Sequence, residues 1–229
     1  MQKISYTPSL LSVLSETLRG KAVDRTLTNL FWRGRVTLSG HILDIGGGSQ
    51  GSHYRFLTIE KGAERTVADI APRTGTDFVL DITTEHVPLP DGSQDFVLMF
   101  NILEHLSGHE RVLTEVFRLL RRGGKLIGTI PFLVNVHPDP HDYVRFTSEA
   151  LSALFEQSGF SVEVIEPIGR GPFLAAYEQL DMLIWKPLNL LLLPVVWCLD
   201  SLVSTLKPTR DFQAQFPLAY NFVVEKRVV

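Results

Sequence analysis

The run HILDI at 41–45 ends on three successive glycines, Gly46, Gly47 and Gly48, with a fourth at Gly51. A short apolar run stopped by glycine is a strand entering a tight turn, and backbone without side chains lets a ligand approach main-chain N–H groups. Gly46, Gly48 and Gly51 also satisfy the G-x-G-x-x-G spacing, with Asp69 at about the distance, roughly 20 positions on, where a dinucleotide site places an acid. Alone the pattern is weak, because glycines close such turns in proteins that bind nothing there. Two carboxylates shift the reading toward another nucleoside cofactor. Asp44 lies inside the strand, where it can orient the turn or face a cationic ligand. Asp81 ends a later run, placed to meet an adenine amino group while Asp69 receives ribose hydroxyls. No Gly-Lys-Ser/Thr follows the glycines, which argues against a Walker phosphate loop.

The rest of the chain alternates. RTVAD at 65–69, DFVLD at 77–81, DFVLMF at 95–100, KLIGTI at 125–130, SVEVI at 161–165 and YNFVVEKRVV at 220–229 read as strands. The segment 109–120 sets Val112, Leu113, Val116, Leu119 and Leu120 on one helical face, and Gly123-Gly124 is expected to stop it. Thr147 offers an N-cap to a helix with Leu151, Leu154 and Phe155 as its buried stripe and Gly159 as its stop. Apolar strands between amphipathic helices predict a mostly parallel sheet covered on both faces. Ahead of it, 9–18 and 24–32 read as short helices, giving a helical cap over 1–38 before the main domain at 39–229.

With 229 residues, 45% of them hydrophobic, the chain can bury one sizeable α/β core. Its 22 basic and 25 acidic side chains leave a net charge of -3, too little field for a polyanion, so nucleic acid is not an expected partner. Cys198 is the single cysteine, which rules out an internal disulfide and a cysteine metal cluster and fits a reducing, cytoplasmic setting. The opening MQKISYTPSLLSVLSETLRG lacks the basic stretch, apolar run and small-residue cleavage site of a secretion signal and reads as part of the fold.

ILDIGGGSQG at 42–51, VADI at 67–70, DITTEHVPLPDGSQDFVLMFNILEHL at 81–106 and LLRRGGKLIGTIP at 119–131, in that order, resemble the class I S-adenosylmethionine-dependent methyltransferases, in particular the methyltransferase type 11 subgroup. The resemblance implies a Rossmann-like, mostly parallel seven-stranded sheet with helices on both faces and an antiparallel last strand. It implies S-adenosyl-L-methionine as cofactor. Asp44, Gly46, Gly47 and Gly48 would form the cofactor loop, Asp69 and Ile70 the ribose end, and Asp81 and Ile82 the adenine border. Asn101 and Leu103 would line the methionine side. Gln50 stands where the commonest form of the loop has glycine, a departure that leaves the width of the turn open.

HPDPHDYVRF at 137–146 follows the fifth strand and is the expected acceptor side. His141, His105, Tyr143 and Arg145 are the catalytic candidates: a histidine to take a proton near neutral pH and the arginine to fix an anionic or hydroxylated acceptor. The competing reading makes Asp142–Arg145 a loop-holding pair and Tyr143 a packing residue. His137, Asp139 and His141 alternate but lack a further ligand, so no metal site is expected. PHDYVRFT also resembles a subgroup associated with polysaccharide, sugar or lipid metabolism.

The insertion around 170–216 contains LNLLLLPVVWCLDSLVSTL at 188–206. Its apolar core, 190–199, is short for a membrane span, and Pro194 is expected to interrupt it. Packing against the sheet or a partner, a wall of an apolar acceptor pocket, and shallow membrane contact anchored by Trp185, Lys186, Trp197 and Lys207 all remain open, the contact or self-association using 176–206. The function expected is methyl transfer to a small-molecule, glycan or lipid-like acceptor, at oxygen. The alternatives are a nicotinamide-dependent oxidoreductase and a non-catalytic methyltransferase-like binding or assembly subunit.

Overall fold

Strands and helices alternate through the residues that the computed structural model describes, 8–48 and 51–227. In chain order they are α1 (Leu10–Thr17), α2 (Val23–Trp32), β1 (Thr37–Leu38), β2 (His41–Ile45), β3 (Thr58–Ile59), β4 (Glu64–Asp69), β5 (Phe78–Val79), β6 (Gln94–Phe100), α3 (His109–Leu119), β7 (Leu120–Pro131), α4 (Ser148–Gln157), β8 (Phe160–Gly169), α5 (Pro172–Leu180), α6 (Lys186–Leu206), α7 (Phe212–Gln215) and β9 (Pro217–Lys226). Ser49 and Gln50, on which the width of the turn depends, lie outside the described residues.

Seven strands form one sheet in the order β5-β4-β2-β6-β7-β9-β8. Pairings from β5 to β7 are parallel, and β9 runs antiparallel to both β7 and β8. Side chains alternate between the faces. Leu43, Val97, Met99 and Leu126 pack with α3 and α4, whereas Ile42, Leu98 and Ile127 pack with α1, α2, α5 and α6. This is the mostly parallel, two-faced sheet that the alternation predicts and the Rossmann-like arrangement that the resemblance implies.

Three local expectations are corrected. Gly123-Gly124 does not stop α3, which ends at Leu119, and β7 already begins at Leu120. The Lys226 ammonium donates to the carbonyls of Phe117 at 2.6 Å and Leu120 at 2.7 Å, so the helix end is satisfied by a lysine rather than by glycine. DFVLD shortens to the two residues of β5, because the Asp77 carboxylate accepts from Val67 N at 2.8 Å and the Asp81 carboxylate folds a turn. The last strand starts at Pro217, earlier than its apolar run suggests, and 228–229 lie outside the described residues.

α2 is tied into the core. Asn221, fully buried on β9, donates to the Thr28 carbonyl at 3.1 Å and accepts from the Thr129 hydroxyl on β7. Pro194 does not interrupt the insertion either: α6 is one helix of 21 residues with the proline inside it. By length and composition, 187–206 could cross a membrane. Its inner face is polar at two points, however. Asp200 caps α5, accepting from Phe173 N at 3.0 Å and Leu174 N at 2.9 Å, and Asn189 bonds to Asp181. Trp197, expected as an interfacial anchor, is buried beneath the Arg170 guanidinium, 4.1 Å from its ring centre. The outer face carries exposed Leu188, Leu191, Val195, Leu202 and Leu206.

Candidate active site

The carboxyl ends of β2, β4 and β6 open onto a cavity of about 540 Å³. It lies where the chain, having built β4 and β5 on one side of β2, returns to build β6 on the other, the switch point at which open α/β sheets hold ligands.

The glycine turn forms its floor. Gly46 and Gly48 have φ of 74° and 56°, the left-handed region that side chains disfavour. A Cβ on Gly46 would strike Ile102, and one on Gly47 would strike the Asp44 carboxylate. Gly46 and Gly47 line the cavity; Asp44 and Gly48 do not. Asp44 is fully buried below the turn, where its Oδ2 accepts from the Tyr54 hydroxyl and from His53 Nε2 at 3.2 Å. Its Oδ1 accepts no hydrogen bond from the described residues. Burial and the adjacent Asp44 charge together push the Tyr54 hydroxyl far above its ordinary range.

At the end of β4, Asp69 is 5% exposed and on the cavity wall with Ile70. Its Oδ1 accepts from Ala71 N at 3.0 Å, whereas the buried Oδ2 accepts no hydrogen bond from the described residues and has Arg73 Nε 3.6 Å away. Asp81 and Ile82 also line the wall. Asp81 Oδ1 accepts from the Thr83 amide at 2.9 Å and hydroxyl at 2.7 Å. At the end of β6, Asn101 has φ of 54°, the one positive value for a non-glycine among the described residues, and its amide donates to the Thr129 carbonyl at 2.8 Å. Strained backbone at a cavity wall is a mark of a functional position. Leu103 is fully buried in the core and does not line the cavity.

The opposite wall holds His105, His137, His141 and Tyr143. Arg145 is not on it, because its guanidinium is taken by both oxygens of Asp142, one at 2.8 Å. That pair, with His137 N donating to Asp142 Oδ2 at 2.9 Å, braces the loop. The Arg145 hydrogen bonds hold the Asp142 carboxyl well below the usual carboxylate range despite burial. Tyr143 is exposed, and its amide donates to the Glu104 carbonyl at 2.8 Å. The Glu104 carboxylate close by raises His137 above the ordinary histidine range, against the effect of burial.

Sequence reasoning did not assign Arg25, Thr28 and Asn29 of α2, or His53 and Phe100, all of which line the cavity. Arg25, Thr28 and Asn29 share one helical face, a polar stripe whose spacing was visible. His53 stacks on Phe100, ring centres 4.2 Å apart, a contact no sequence pattern announces.

The family model described as a methyltransferase domain matches residues 43–128, the stretch that carries the glycine turn, Asp69, Asp81 and Asn101. Over these residues the chain matches the class I S-adenosylmethionine-dependent methyltransferases that its motifs resemble. A protein of Mycolicibacterium smegmatis named as a probable S-adenosylmethionine-dependent methyltransferase is 30% identical over 121 residues, 50% of this chain and 47% of that one. The sarcosine/dimethylglycine N-methyltransferase of Halorhodospira halochloris is 32% identical over 113 residues, 43% of this chain and 40% of that one. The matched region thus spans less than half of either relative. In fold, a methyltransferase from Archaeoglobus fulgidus superposes with a TM-score of 0.54 at 17% identity, covering 95% of this chain and 100% of that one. The cyclase SpnF superposes at 0.56 with 18% identity, covering 91% and 82%.

The class I methyltransferase cofactor is S-adenosyl-L-methionine, and the residues present fit it. Gly46 and Gly47 bring backbone without side chains to the cavity floor, and among the described residues the buried Asp69 Oδ2 lacks the hydrogen bond that a ribose hydroxyl would supply.

Proposed function

We propose that this methyltransferase moves a methyl group from S-adenosyl-L-methionine to an oxygen of a small-molecule, glycan or lipid-like acceptor. The observation that carries this reading is one cavity shared by Asp69 and Asn101 at the strand ends and by His105, His137 and His141 opposite.

S-adenosylmethionine supplies a methyl group already activated on a sulfonium, so the protein's own contribution is alignment and desolvation. In this reading Gly46 and Gly47 admit the cofactor's amino-acid end, Asp69 with Ile70 holds the ribose, and Asp81 with Ile82 borders adenine. Asn101 stands beside the reacting centre. Asp44 and Gly48 act from beneath, by fixing the turn. His141 takes the acceptor's proton, and the Asp142–Arg145 pair keeps the loop that bears it in place.

The relative from Halorhodospira halochloris is named for N-methylation, which makes a nitrogen acceptor the second reading. A screen of hydroxylated and amine metabolites for uptake of labelled methyl decides between them. Calorimetry with S-adenosylmethionine and with nicotinamide dinucleotides tests the cofactor; dinucleotide binding alone would reject the proposal. Tight S-adenosylmethionine binding with no transfer to any acceptor would favour a binding or assembly role.

The outward face of α6 is read as a shallow membrane contact, which suits a lipid-like acceptor and a cytoplasmic, peripheral location. No charged side chain is exposed from Pro187 to Leu206, exposed Trp185 precedes the helix, and exposed Lys207 and Arg210 follow it. A continuous apolar stripe with an aromatic start and a basic end suits a bilayer interface. The polar ties of Asn189 and Asp200 to the rest of the protein support a helix lying on the surface over one that spans.

A further inference from the structure

Glu104 sits in the turn after β6 with its carboxylate fully buried, and neither oxygen accepts a hydrogen bond from the described residues. A buried carboxylate needs a hydrogen bond, a proton or a nearby cation to offset its lost hydration. What faces it are two imidazoles. His105 Nε2 lies 3.6 Å and His137 Nε2 3.8 Å from Glu104 Oε1. Both separations are too long for an N–H···O hydrogen bond.

The other nitrogen of each ring is engaged. His105 Nδ1 bonds to the His141 carbonyl, and His137 Nδ1 to the Asn135 carbonyl at 2.8 Å. A carbonyl only accepts, so each Nδ1 carries a proton, and each ring in its neutral form turns an Nε2 lone pair toward the carboxylate. In that form two lone pairs and a carboxylate converge on one point, where a bound cation takes the place of the ring protons as counter-charge. Imidazoles whose second nitrogen donates to a carbonyl are also how proteins orient metal-binding histidines.

The spacing suits an ion. One ligand atom from each of Glu104, His105 and His137 lies within 4.8 Å of the others. Bonds of about 2.0–2.2 Å to a single ion need them roughly 3.0–3.5 Å apart, reached by small side-chain rotations. The rings stand at 89° to each other with centres 5.4 Å apart, so both lone pairs can meet without the rings clashing.

We propose that Glu104, His105 and His137 bind a divalent transition-metal ion of the zinc class. Two nitrogens and one carboxylate favour Zn²⁺, Co²⁺ or Fe²⁺ over Mg²⁺ or Ca²⁺, which prefer oxygen. The set differs from the alternating His137, Asp139 and His141, and it departs from the sequence expectation of no metal. It joins a residue after β6 to a residue after β7, which only the fold brings together. His105 and His137 line the cavity, so the ion's open positions face the acceptor end. In its catalytic consequence the inference rests on the methyl-transfer reading: an acceptor hydroxyl coordinated there would lose its proton more readily.

The test is titration of the metal-depleted full chain with Co²⁺, followed by its visible absorption and by calorimetry. One equivalent bound with a nitrogen–oxygen d–d spectrum, displaced by Zn²⁺, is expected. His137→Ala and His105→Ala should each weaken binding by more than roughly tenfold while the thermal melt shows a folded chain. His137 is the more informative position, its side chain being 42% exposed and its removal less disruptive than that of Glu104. Absence of stoichiometric binding, or parent-like affinity in either variant, would overturn the site. The cobalt readout does not pass through methyl transfer, so this inference and the proposed function can fail separately.

Discussion

Gly47 has no room for a side chain because the Asp44 carboxylate occupies the position where its Cβ would stand. The acid is fully buried and held by His53 and Tyr54, so it cannot move aside without leaving those bonds. The glycine turn is therefore shaped from below by a carboxylate as well as by its own backbone freedom.

Gly47→Ala should accordingly destabilise the fold by about 1–3 kcal/mol, the usual cost of overpacking. Asp44→Ala removes the obstruction, so the double variant should lose less than the sum of the single losses. Thermal denaturation of all four proteins reads the coupling; strict additivity would contradict the contact.

Asp69 presents its bonded Oδ1 to Ala71 and its unbonded Oδ2 to the buried edge of the cavity. Replacing it with alanine should weaken S-adenosylmethionine binding by roughly 1–3 kcal/mol. Calorimetry on a variant that melts like the parent would measure this, and unchanged affinity would remove Asp69 from the ribose role.

Arg145→Ala leaves Asp142, whose side chain is 3% exposed, as a buried charge without its partner. A cost of about 3–5 kcal/mol is expected, concentrated in the loop that carries His137 and His141. Turnover should fall more than cofactor affinity. Because Asp142 is held below the carboxylate range, this stabilisation is present at neutral pH and lost as the pH falls toward its folded value. Parallel losses in turnover and cofactor binding would argue against a loop-specific role.

Glu178 on α5 responds in the opposite sense. Burial, with Asp24 adding to it, pushes its carboxyl up to about 8. The folded chain thus keeps a proton that the unfolded chain, at an ordinary value of about 4.3, has already lost. Stability contributed here is present below the unfolded value and declines as pH rises through about 8. Glu178→Gln should melt like the parent near about pH 4 and above it near about pH 9; identical pH slopes would refute the shift.

On α6, Leu191 is 71% and Val195 52% exposed, so Leu191→Glu with Val195→Glu should leave the fold intact. Each aliphatic side chain is worth about 1.5–3 kcal/mol when fully buried in an apolar phase. Vesicle co-sedimentation should therefore drop by roughly tenfold or more. Parent protein that ignores vesicles but dimerises in ultracentrifugation, with the dimer lost in the variant, would replace the membrane reading by self-association.

The parallel strands, the helices between them and the glycine turn were legible because each rests on local rules: period, capping and punctuation in neighbouring residues. β2, β6, α4 and the Thr147 cap follow from their own few residues, and the order of the family's motifs added the cofactor. Where the sequence reading slipped, a distant group intervened. Lys226 ends α3 where two glycines were expected to, and Asn189 and Asp200 hold α6 on the protein through Asp181 and α5. Convergence at the site was likewise invisible. Arg145 turns from the cavity to Asp142, Asp44 works below the turn, and Glu104 meets His137 across two loops. Local sequence sets which elements form, because their hydrogen bonds close within or between adjacent segments. Which side chains share a cavity is decided by the sheet, since only packing fixes the few ångströms that separate a partner from a bystander.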